Sequence, residues 1–446
     1  MSEQFDAIVV GMGPGGETVA QTLMHAGRRV AVVEKELIGG ECPYWACMPS
    51  KTLLRPVEAR AETSRVAGAS TPALDWTMIR DYRDVIVGHL DDSPRVAAYR
   101  NDGARVVKGE GKLAGPGELS VNGDRLQARD IILSTGSRQA WPRIDGLEEV
   151  PVWTNREATN LTDIPARVLL IGGSAVGIEL ATFLSRMGSS VTMLERGPRL
   201  LMREVPELSE RALSVLGGVD VRLDCRAQAV RREGTDTVAE LDDGTSVRVD
   251  VVVLASGRIP NSDLDLKTVD VSTGPHGEVP TDDHCRVTDG LWAVGDLTGV
   301  AMFTHTAMYQ GRVVADNLLG RPRTANYLGI PRVVFSEPEI AAVGLTADAA
   351  RRQGIDVATS QVELPEVIHR PETYETKPRG TLGLVADRRR RTLVGAWAIA
   401  PQVGEWIHTG ALAIRAQLPV DILVDDIAQF PTFNEAYYAA ASALRL

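Results

Sequence analysis

Two cysteines, Cys42 and Cys47, stand five residues apart, after a Gly-Gly pair and before a stretch with helical character. A regular α-helix would hold such a pair about 8–9 Å apart, whereas a disulfide needs Cα atoms within roughly 4.4–6.8 Å. If the two bond, Cys42 must lie on a distorted first turn, and Pro43 is compatible with that position. Because a helix N-terminus also favours a thiolate, the pattern predicts a reactive pair.

Cys225 and Cys285 stand alone, and a lone cysteine is usually a small buried hydrophobe. A close pair indicates redox or metal chemistry in a chain that is expected to be cytoplasmic. The metal alternative is the weaker one, because no second cysteine pair or histidine cluster accompanies the first. Four cysteines in 446 residues also argue against a secreted disulfide framework.

The whole chain has the composition of a soluble α/β protein with room for several domains. Its 446 residues are 44% hydrophobic and 24% charged. No apolar stretch reaches about 18 residues and the start does not resemble a signal peptide, so we expect no membrane helix and no export. The net charge of −11 argues against nucleic acid or an anionic membrane as a partner. A basic run at 388–391 is expected to be a solvated hairpin tip.

The chain opens with a glycine-rich pattern in a β-α-β context. A predicted strand at 6–10 leads into Gly-Met-Gly-Pro-Gly-Gly at 11–16, then a helix at about 17–26 and a strand at 29–33 that ends at Glu34. In the dinucleotide fingerprint, the glycines permit a tight turn, a close approach to the pyrophosphate and close helix–strand packing, in that order. The acid can accept a hydrogen bond from a ribose hydroxyl. In this sequence, the glycines predicted to fill these three roles are, in the same order, Gly11, Gly13 and Gly16.

The same pattern recurs in mid-chain. A strand at 167–171 leads into Gly-Gly-Ser-Ala-Val-Gly at 172–177, a helix follows, and a strand at 190–194 ends at Glu195. Ser174 occupies the middle glycine position, where its small side chain still permits a close phosphate. Glu195 favours NAD, since a carboxylate binds a ribose diol and repels a 2′-phosphate. NADPH remains an alternative, because two arginines that follow Glu195 could bind its 2′-phosphate, namely Arg196 and Arg199.

Two dinucleotide folds in one chain imply two dinucleotides, and the cysteine pair after the first implies electron flow from nicotinamide through flavin to a disulfide. In these features the chain resembles the flavin-dependent pyridine nucleotide-disulfide oxidoreductases, over nearly its whole length. The segments that match family motifs are Gly-Gly-x-Cys-x4-Cys-x-Pro-Ser-Lys at 39–51, Thr-Gly-Ser at 135–137, Gly-Arg-x-Pro-Asn at 257–261, Gly-Asp at 295–296 and the opening of the dimerisation domain at 330–346.

The resemblance implies an α/β fold with two Rossmann-like dinucleotide-binding domains, for FAD and NAD(P), and an α+β C-terminal dimerisation domain. The implied boundaries are 1–154 for the first part of the FAD-binding domain, 155–284 for the NAD(P)-binding domain, 285–325 for the second part of the FAD-binding or central domain and 326–446 for the dimerisation domain.

The stretch between the two glycine motifs has its own local pattern. Helices are predicted at 51–69 and 75–100, interrupted near Pro56 and Pro94, because proline disfavours a helix interior. A β-rich stretch is predicted at 104–136.

The resemblance also implies roles for individual side chains. Cys47 would take electrons from the flavin, and Cys42 would be the outer sulfur that attacks a substrate. Lys51 and Glu179 would pair near the flavin N5 edge, where a positive charge stabilises electron density on the reduced ring. The residues implied to bind FAD or NAD(P) are Gly11, Gly13, Gly16, Glu34, Lys35, Gly40, Lys51, Thr135, Gly136, Ser137, Gly172, Ser174, Gly177, Glu195, Gly257, Arg258, Asp296 and Phe303. No metal site is predicted.

One departure from the family concerns its general acid. Disulfide-reducing members carry His-Pro-Thr-x-x-Glu near the C-terminus, and across the dimer interface that His protonates the leaving thiolate while the Glu orients its ring. This chain has Phe430 in place of the His, with Glu435 retained. A phenyl ring can neither donate nor accept a proton, so the usual general acid is absent. Glu435 is either part of the catalytic site or only a helix-start carboxylate.

Three kinds of acceptor chemistry remain open. A disulfide reductase would take its proton from water or from Tyr437 or Tyr438. A quinone or a metal ion needs no such proton, and an oxidase-like flavoprotein would pass electrons to oxygen. Mercuric reductases also lack the His, but they carry a C-terminal cysteine pair that this chain does not have, so mercuric reduction is disfavoured. A different class, a flavoprotein scaffold with a structural disulfide, is disfavoured by Lys51, Glu179 and the second nucleotide fold.

Several other side chains have simple structural interpretations. Tyr44 and Trp45 lie between the cysteines and are expected to pack as core, or else to narrow the approach to the outer sulfur. His305 is expected to be structural or flavin-adjacent. His369 and His408 have no motif context, and each is expected to be a satisfied surface or core histidine.

The sequence therefore predicts a homodimeric, cytoplasmic flavoenzyme that uses FAD, oxidises NADH in preference to NADPH and cycles a Cys42–Cys47 disulfide. The expected partner is a small-molecule electron acceptor. A small disulfide is the first choice, and a quinone, a metal ion or another small oxidant is the alternative.

Overall fold

A computed structural model describes residues 4–446, which form two compact units. Each unit is built from three separate stretches of chain. Unit one comprises the described residues up to Pro49, Asp81–Ala140 and Gly257–Asn326. Unit two comprises Ser50–Arg80, Trp141–Ser256 and Tyr327–Leu446.

The β-strands of the described residues are, in chain order, β1 (Gln4–Val10), β2 (Val30–Glu34), β3 (Arg105–Lys108), β4 (Gly111–Gly115), β5 (Glu118–Val121), β6 (Asp124–Leu133), β7 (Ser137–Gln139), β8 (Val152–Trp153), β9 (Arg167–Ile171), β10 (Ser190–Leu194), β11 (Asp220–Arg222), β12 (Ala227–Glu233), β13 (Asp236–Leu241), β14 (Ser246–Val249), β15 (Val251–Leu254), β16 (Arg258–Pro260), β17 (Arg286–Thr288), β18 (Leu291–Ala293), β19 (Pro331–Val334), β20 (Glu339–Gly344), β21 (Val357–Glu363), β22 (Thr381–Asp387) and β23 (Thr392–Ala400).

The α-helices are α1 (Pro14–His25), α2 (Glu41–Trp45), α3 (Cys47–Thr63), α4 (Trp76–Ile86), α5 (Ser93–Asn101), α6 (Asn155–Thr159), α7 (Ala175–Arg186), α8 (Pro206–Val215), α9 (Thr304–Leu318), α10 (Ala347–Arg352), α11 (Leu364–Val367), α12 (Arg370–Tyr374), α13 (Val403–Trp406), α14 (His408–Ala416), α15 (Val420–Val424) and α16 (Ala436–Ser442). Short 3₁₀ turns lie at Gly88–Leu90, Leu147–Glu149, Leu266–Val269, Gly295–Thr298 and Phe433–Glu435. No helix among residues 4–446 has both the length and the apolar character that crossing a bilayer requires.

The main sheet of unit one has the strand order β17-β18-β6-β1-β2-β3, and the hairpin β4-β5 is attached to β6. The strands from β18 to β3 are parallel. Parallel strands that are covered on both faces are continuous apolar runs, and here Val9 and the paired Val32 are fully buried. The carboxyl ends of β1, β2 and β6 therefore meet at one edge, where the first glycine loop begins.

Residues 257–284 pack within unit one, whereas the family resemblance assigned them to the inserted nucleotide domain. The physical reason is that β16 pairs with β7, with Ile259 opposite Arg138. Leu264 also packs in the same core as Leu113. The finer domain boundaries remain predictions.

The first sheet of unit two has the order β11-β10-β9-β15-β8 and is entirely parallel. A small antiparallel sheet, β12-β13-β14, belongs to the same unit. Strands β9 and β10 flank helix α7 in the chain, as β1 and β2 flank α1. Both predicted β-α-β units are thus confirmed as strand, helix and strand.

The C-terminal sheet of unit two has the order β19-β20-β23-β22-β21 and is antiparallel throughout. Its inner strands β22 and β23 are largely buried, and Leu382 and Ala398 have no exposed surface. Residues 388–391 form the turn between β22 and β23, so the predicted hairpin tip is confirmed. Helices α14 and α16 cover this sheet.

Helix α3 differs from the sequence-based prediction. It begins at Cys47, four residues earlier than predicted, and it continues through Pro56 without a break. A proline inside a helix costs a hydrogen bond and about 3 kcal/mol. Because Leu53, Leu54 and Val57 around it are each only 1% exposed, burial of this apolar face outweighs the local cost. The predicted break near Pro94 is confirmed, since α4 and α5 are separate helices.

Glu58 lies on α3 with other carboxylates near it. The pKa of Glu58 is raised to about 7, first by burial and then by the negative charge of Glu339, while Arg55 acts in the opposite sense. The folded-state pKa thus lies above the ordinary value of 4.5. The stability that this group contributes is therefore present below that ordinary value and is lost as the pH rises through 7.

Replacing Glu58 with Gln is expected to stabilise the protein at alkaline pH. A rise from 4.5 to about 7 corresponds to on the order of 3 kcal/mol at pH 8. Thermal unfolding should show a Tm for E58Q roughly 5 °C above wild type at pH 8 and equal to wild type at pH 5. The matched control is E148Q, which changes an exposed carboxylate. Coincident Tm values for E58Q and wild type at pH 8 would contradict the account.

Candidate active site

The two predicted redox cysteines lie on separate helices. Cys42 is in the short helix α2, Cys47 opens α3, and Ala46 between them has φ −131° and ψ −96°, which breaks the helix. This break is the distortion expected of a pair that can bond, because a continuous helix would hold the residues too far apart. Both are free thiols in this structure, and both are partly exposed.

The two thiols contact each other and a hydroxyl group. Cys42 is hydrogen-bonded to Cys47 and to Thr304, and Oγ1 of Thr304 lies 3.4 Å from Sγ of Cys47. The hydrogen bond to Cys47, followed by burial, raises the pKa of the Cys42 thiol, and Thr304 acts in the opposite sense. Loss of the proton from Cys42 is therefore disfavoured while its sulfur is hydrogen-bonded to Cys47.

Thr304 was not predicted as a site residue. It is the first residue of α9 and lies 257 positions from Cys47 in the chain. Its one sequence signal is its place directly after Phe303, in the segment that follows the Gly-Asp motif. That signal acquires meaning only when the fold brings α9 to the start of α3.

Gly40 and Gly13 bring the cysteine segment against the first glycine loop. Gly40 has φ +69°, and a Cβ there would lie 2.7 Å from Cα of Gly13, so a side chain is excluded. An added Cβ at Gly13 would meet only Cα of Gly40, at 4.0 Å. The space beside Gly13 is therefore open, as the close approach of a pyrophosphate requires.

The other two glycines of the first loop are closely packed. Gly11 has φ +91°, and a Cβ there would lie 2.3 Å from the carbonyl oxygen of Ser134. A Cβ at Gly16 would lie 2.1 Å from the carbonyl oxygen of Gly11. These contacts permit a tight turn and close helix–strand packing, which a dinucleotide loop needs.

Acidic residues at the ends of β2 and β10 hold their glycine loops in the same way. Glu34 accepts hydrogen bonds from the N–H groups of Met12 at 2.8 Å and Glu36 at 2.7 Å. Glu195 accepts hydrogen bonds from the N–H groups of Gly173 and Gly197, both at 2.8 Å. Burial raises the pKa of Glu34, and the amide hydrogen bonds act in the opposite sense. Each carboxylate thus joins its glycine loop to the turn that follows the second strand of the same β-α-β unit.

Ser174 turns its side chain into the second loop. Its Oγ donates to the carbonyl oxygen of Ala255 at 3.0 Å and accepts from the N–H of Gly177 at 3.3 Å, which caps α7. A Cβ at Gly177 would lie 2.0 Å from the carbonyl oxygen of Gly172, so this loop packs as tightly as the first. Ser174, which replaces the middle glycine of the motif, thus caps the N-terminus of α7.

The two arginines that follow Glu195 differ in their surroundings. Arg199 donates to the carbonyl oxygen of Glu204 at 2.9 Å and to Oγ of Ser209 at 2.7 Å. Arg196 is exposed and forms no hydrogen bond or ion pair within residues 4–446. Of the two, Arg196 is the one available for a 2′-phosphate.

A chain of hydrogen bonds joins three of the predicted flavin residues. Nε of Arg258 donates to Oγ of Ser137 at 2.6 Å, and that hydroxyl donates to Oδ2 of Asp296 at 2.5 Å. Arg258 also forms an ion pair with Glu41, next to Cys42 in the chain. Burial raises the pKa of Asp296, and the Ser137 hydrogen bond acts in the opposite sense. A partly buried acceptor beside a glycine loop fits the hydroxyl groups of a flavin's ribityl chain.

Two loops of unit one are joined by a reciprocal pair of hydrogen bonds. Thr135 donates through Oγ1 to the carbonyl oxygen of Asn261 at 2.7 Å, and Asn261 donates through Nδ2 to the carbonyl oxygen of Thr135 at 2.9 Å. The neighbouring Gly136 and Gly257 have φ +68° and +115°. These left-handed conformations turn both loops at the edge of the sheet.

Lys51 and Glu179 form the predicted pair within unit two. Nζ of Lys51 donates to Oε2 of Glu179 at 2.7 Å, and Glu179 is 6% exposed. The other carboxylate oxygen accepts from the N–H of Phe335 at 3.0 Å, and the ammonium group lies 4.8 Å from the centre of the Phe335 ring. The lysine charge is therefore fixed from two sides.

The carboxylate of the C-terminal motif, Glu435, has a structural role. Glu435 accepts from the N–H of Thr432 at 2.8 Å and completes a capping box, which is the helix-start alternative. Tyr437 is buried, its hydroxyl donates to the carbonyl oxygen of Ile407, and burial raises its pKa. Tyr437 is thus poorly suited to supply a proton. Tyr438 is exposed.

The aromatic residues near the motifs occupy different environments. Tyr44 is 4% exposed and donates to the carbonyl oxygen of Ile38 at 3.1 Å, so its core interpretation is confirmed. Trp45 is partly exposed. Phe303 stacks on His305 at 5.2 Å.

Lys35, one of the predicted cofactor-binding residues, is exposed. No group of three His, Cys, Asp or Glu residues within 4–446 has metal-binding geometry.

Comparison with known proteins places these features in one family. The family model described as pyridine nucleotide-disulphide oxidoreductase matches residues 5–311, and the model of its dimerisation domain matches residues 330–441, which indicates a homodimer. A mercuric reductase from Streptomyces lividans is 35% identical over 98% of this chain and 95% of its own length. A dihydrolipoyl dehydrogenase from Chlamydia muridarum is 28% identical over 99% and 97%.

A solved structure agrees with these matches. The HOCl-induced flavoprotein disulfide reductase RclA from Escherichia coli superposes with a TM-score of 0.87 at 26% identity, over 98% of this chain and 100% of its own. The chain therefore belongs to the pyridine nucleotide-disulphide oxidoreductase family, whose members are flavin-dependent enzymes that use FAD and NAD(P)H.

Proposed function

We propose that this enzyme passes electrons from NADH through FAD to the Cys42–Cys47 pair and then to a small disulfide. One observation carries the proposal: two partly exposed thiols are hydrogen-bonded to each other across a helix break. FAD, when bound, accepts a hydride from the nicotinamide and delivers two electrons onward. The cysteine pair would then exchange its S–S bond for one thiol and one thiolate.

The two sulfurs are proposed to divide the later steps. Cys42, which holds the proton of the reduced pair, loses it and attacks the acceptor, so that a mixed disulfide forms as the acceptor's S–S bond breaks. The Cys47 thiolate, which accepts a hydrogen bond from Thr304, then attacks Cys42 and displaces the second half of the acceptor. One turnover consumes one NADH, one proton and one disulfide, and it releases two thiols.

Lys51 and Glu179 are proposed to place a fixed positive charge beside the reduced flavin. The support is the 2.7 Å ion pair, in which the buried carboxylate is itself held by a backbone amide. A preorganised charge stabilises developing negative charge without reorganisation.

NADH is proposed as the reductant in preference to NADPH. Glu195 stands at the end of β10, where a carboxylate favours a ribose diol over a 2′-phosphate. Arg199, one of the two candidate phosphate partners, donates instead to Glu204 and Ser209.

A metal ion is the second candidate acceptor. Phe430 leaves no imidazole at the position of the family's acid, and reduction of a metal ion releases no thiolate that needs a proton. Mercuric reductases among the relatives and a solved Cu(II) complex of RclA support this alternative. Since residues 4–446 hold no cluster of three metal ligands, the Cys42–Cys47 pair itself would bind the ion.

An anaerobic titration with NADH tests the redox role of the pair. Wild type is expected to develop a long-wavelength thiolate–flavin absorption band. C42S should show the band before NADH is added, because Cys47 is then a free thiolate, and C47S should never show it. C225S is the control, since Cys225 is buried and belongs to unit two, whereas the pair belongs to unit one. A wild-type spectrum without the band would contradict the proposal.

Steady-state NADH oxidation distinguishes the candidate acceptors. We expect turnover with small disulfides that C42S abolishes, and slower turnover with quinones or oxygen, to which the flavin can pass electrons directly. Turnover of Hg²⁺ or Cu²⁺ without any turnover of disulfides would favour the metal-ion alternative. Equal rates for C42S and wild type on a disulfide would show that Cys42 is not the attacking sulfur.

Replacing Thr304 with Val is expected to raise the pH at which the thiolate–flavin band appears. The hydroxyl lies 3.4 Å from the Cys47 sulfur, and a hydrogen bond to a charged group contributes about 1.5–3 kcal/mol, which corresponds to roughly one to two pH units. The matched control is T306V on the same helix, because the Thr306 hydroxyl is buried and has no hydrogen-bond partner in residues 4–446. An unchanged midpoint in T304V would remove Thr304 from the site.

A further inference from the structure

Phe430 has a histidine as its neighbour in space. The Phe430 side chain is 70% exposed, and the ring of His369 lies 6.1 Å from it, edge to face at 74°. No sequence motif connects the two residues. An imidazole therefore lies beside the position where disulfide-reducing relatives carry theirs.

A carboxylate orients the His369 ring. Nδ1 of His369 lies 3.3 Å from Oε2 of Glu372, which is in the first turn of α12. When Nδ1 is bonded to the carboxylate, Nε2 is the nitrogen left to exchange protons. The His369 side chain is 71% exposed, so that nitrogen is accessible to a bound molecule.

Two charged groups neighbour the imidazole, Glu372 and Arg370. The Arg370 guanidinium lies over the rings of Tyr374 at 5.4 Å and Phe433 at 5.9 Å, and it donates to Thr373. The cation is thus held by the aromatic rings, while the anion contacts the imidazole directly.

An aromatic cluster holds His369 and Phe430 together. Phe433 is 5% exposed, stacks on Trp406 at 6.1 Å and meets Tyr374 edge to face at 5.7 Å. Tyr374 belongs to α12, the helix that His369 precedes, and Phe433 follows Phe430 by three residues. The buried core therefore fixes the two segments against each other.

Glu435 does not perform the orienting task here. Its carboxylate accepts from the N–H of Thr432, so it is used in a helix cap. The histidine–carboxylate pair that the motif lacks is present instead at His369 and Glu372, three residues apart on another segment of unit two.

We propose that His369, oriented by Glu372, donates a proton to the thiolate released from a disulfide acceptor. This inference rests on the proposed disulfide-reducing function, in which the acceptor reacts with Cys42 of the partner subunit. As that sulfur bonds to one half of the acceptor and the acceptor's S–S bond breaks, the Nε2 proton passes to the departing sulfur. Solvent then returns a proton to the ring.

Two disulfides with different leaving groups isolate this step. A thiolate with a low pKa leaves without help, whereas an alkyl thiolate benefits from a proton. Dithionite-reduced enzyme is mixed with bis(2-hydroxyethyl) disulfide or with 5,5′-dithiobis(2-nitrobenzoate), and the rate of each reaction is followed from pH 5.5 to 9. The variants are H369Q and E372Q, and the control is H408Q, at an exposed histidine of the same domain.

H369Q is expected to lose roughly 100-fold in rate with the alkyl disulfide, as removal of a general acid implies, but at most about twofold with the aryl disulfide. The rate of the wild-type reaction with the alkyl disulfide is expected to fall as the pH rises, and this fall should be absent in H369Q. E372Q should lose about tenfold with the alkyl disulfide and at most about twofold with the aryl disulfide, because the His369 ring is then no longer oriented by a carboxylate. H408Q should behave as wild type.

Other results overturn the assignment in distinguishable ways. Equal alkyl rates for H369Q and wild type, or equal losses with both disulfides, would exclude His369 as the proton donor and leave the disulfide reductase intact. If wild type reduces neither disulfide although NADH still bleaches its flavin, the proposed disulfide acceptor is wrong, and the role of His369 falls with it.

Discussion

The contact between Cys42 and Cys47 is the constraint on which the rest of the site depends. Two residues five positions apart can meet only if the helix between them is interrupted, and Ala46 provides that interruption. On one side, Gly40 adopts a left-handed conformation and presses against Gly13, which attaches the pair to the first nucleotide loop. On the other side, α3 begins at Cys47 and places its N-terminal end at the sulfur. Thiol contact, helix N-terminus and cofactor loop thus form one local arrangement.

Both nucleotide loops follow one construction principle. In each, a carboxylate at the end of the second strand accepts from a backbone amide of the glycine loop and from another amide two residues after itself. The glycine loop is therefore held in shape before any ligand binds, which lowers the entropic cost of binding. Ser174 shows that the middle position tolerates a side chain when its hydroxyl caps the following helix. The open space beside Gly13 and the partly buried Asp296 favour a cofactor with both phosphate and hydroxyl groups.

Sequence patterns predicted the elements that carry their own local signal. The two β-α-β units and the cysteine pair follow from motifs with fixed spacing, whereas the Lys51–Glu179 pair follows from the family resemblance. Pro56 was misread, because its local cost is outweighed by burial of the surrounding leucines, which no local pattern reports. Thr304 and His369 could not be identified, since each becomes relevant only through a neighbour that is distant in the chain. The phenylalanine at position 430 was visible in the sequence, whereas the imidazole next to it was visible only in the fold.

Counting thiols in denatured protein tests most directly whether Cys42 and Cys47 form a disulfide that NADH can reduce. The chain contains four cysteines, and only two of them lie outside the pair. The FAD-loaded enzyme, denatured as isolated, should therefore present two reactive thiols. The same enzyme treated with NADH without oxygen before denaturation should present four. Four thiols before NADH, or two after it, would contradict the account.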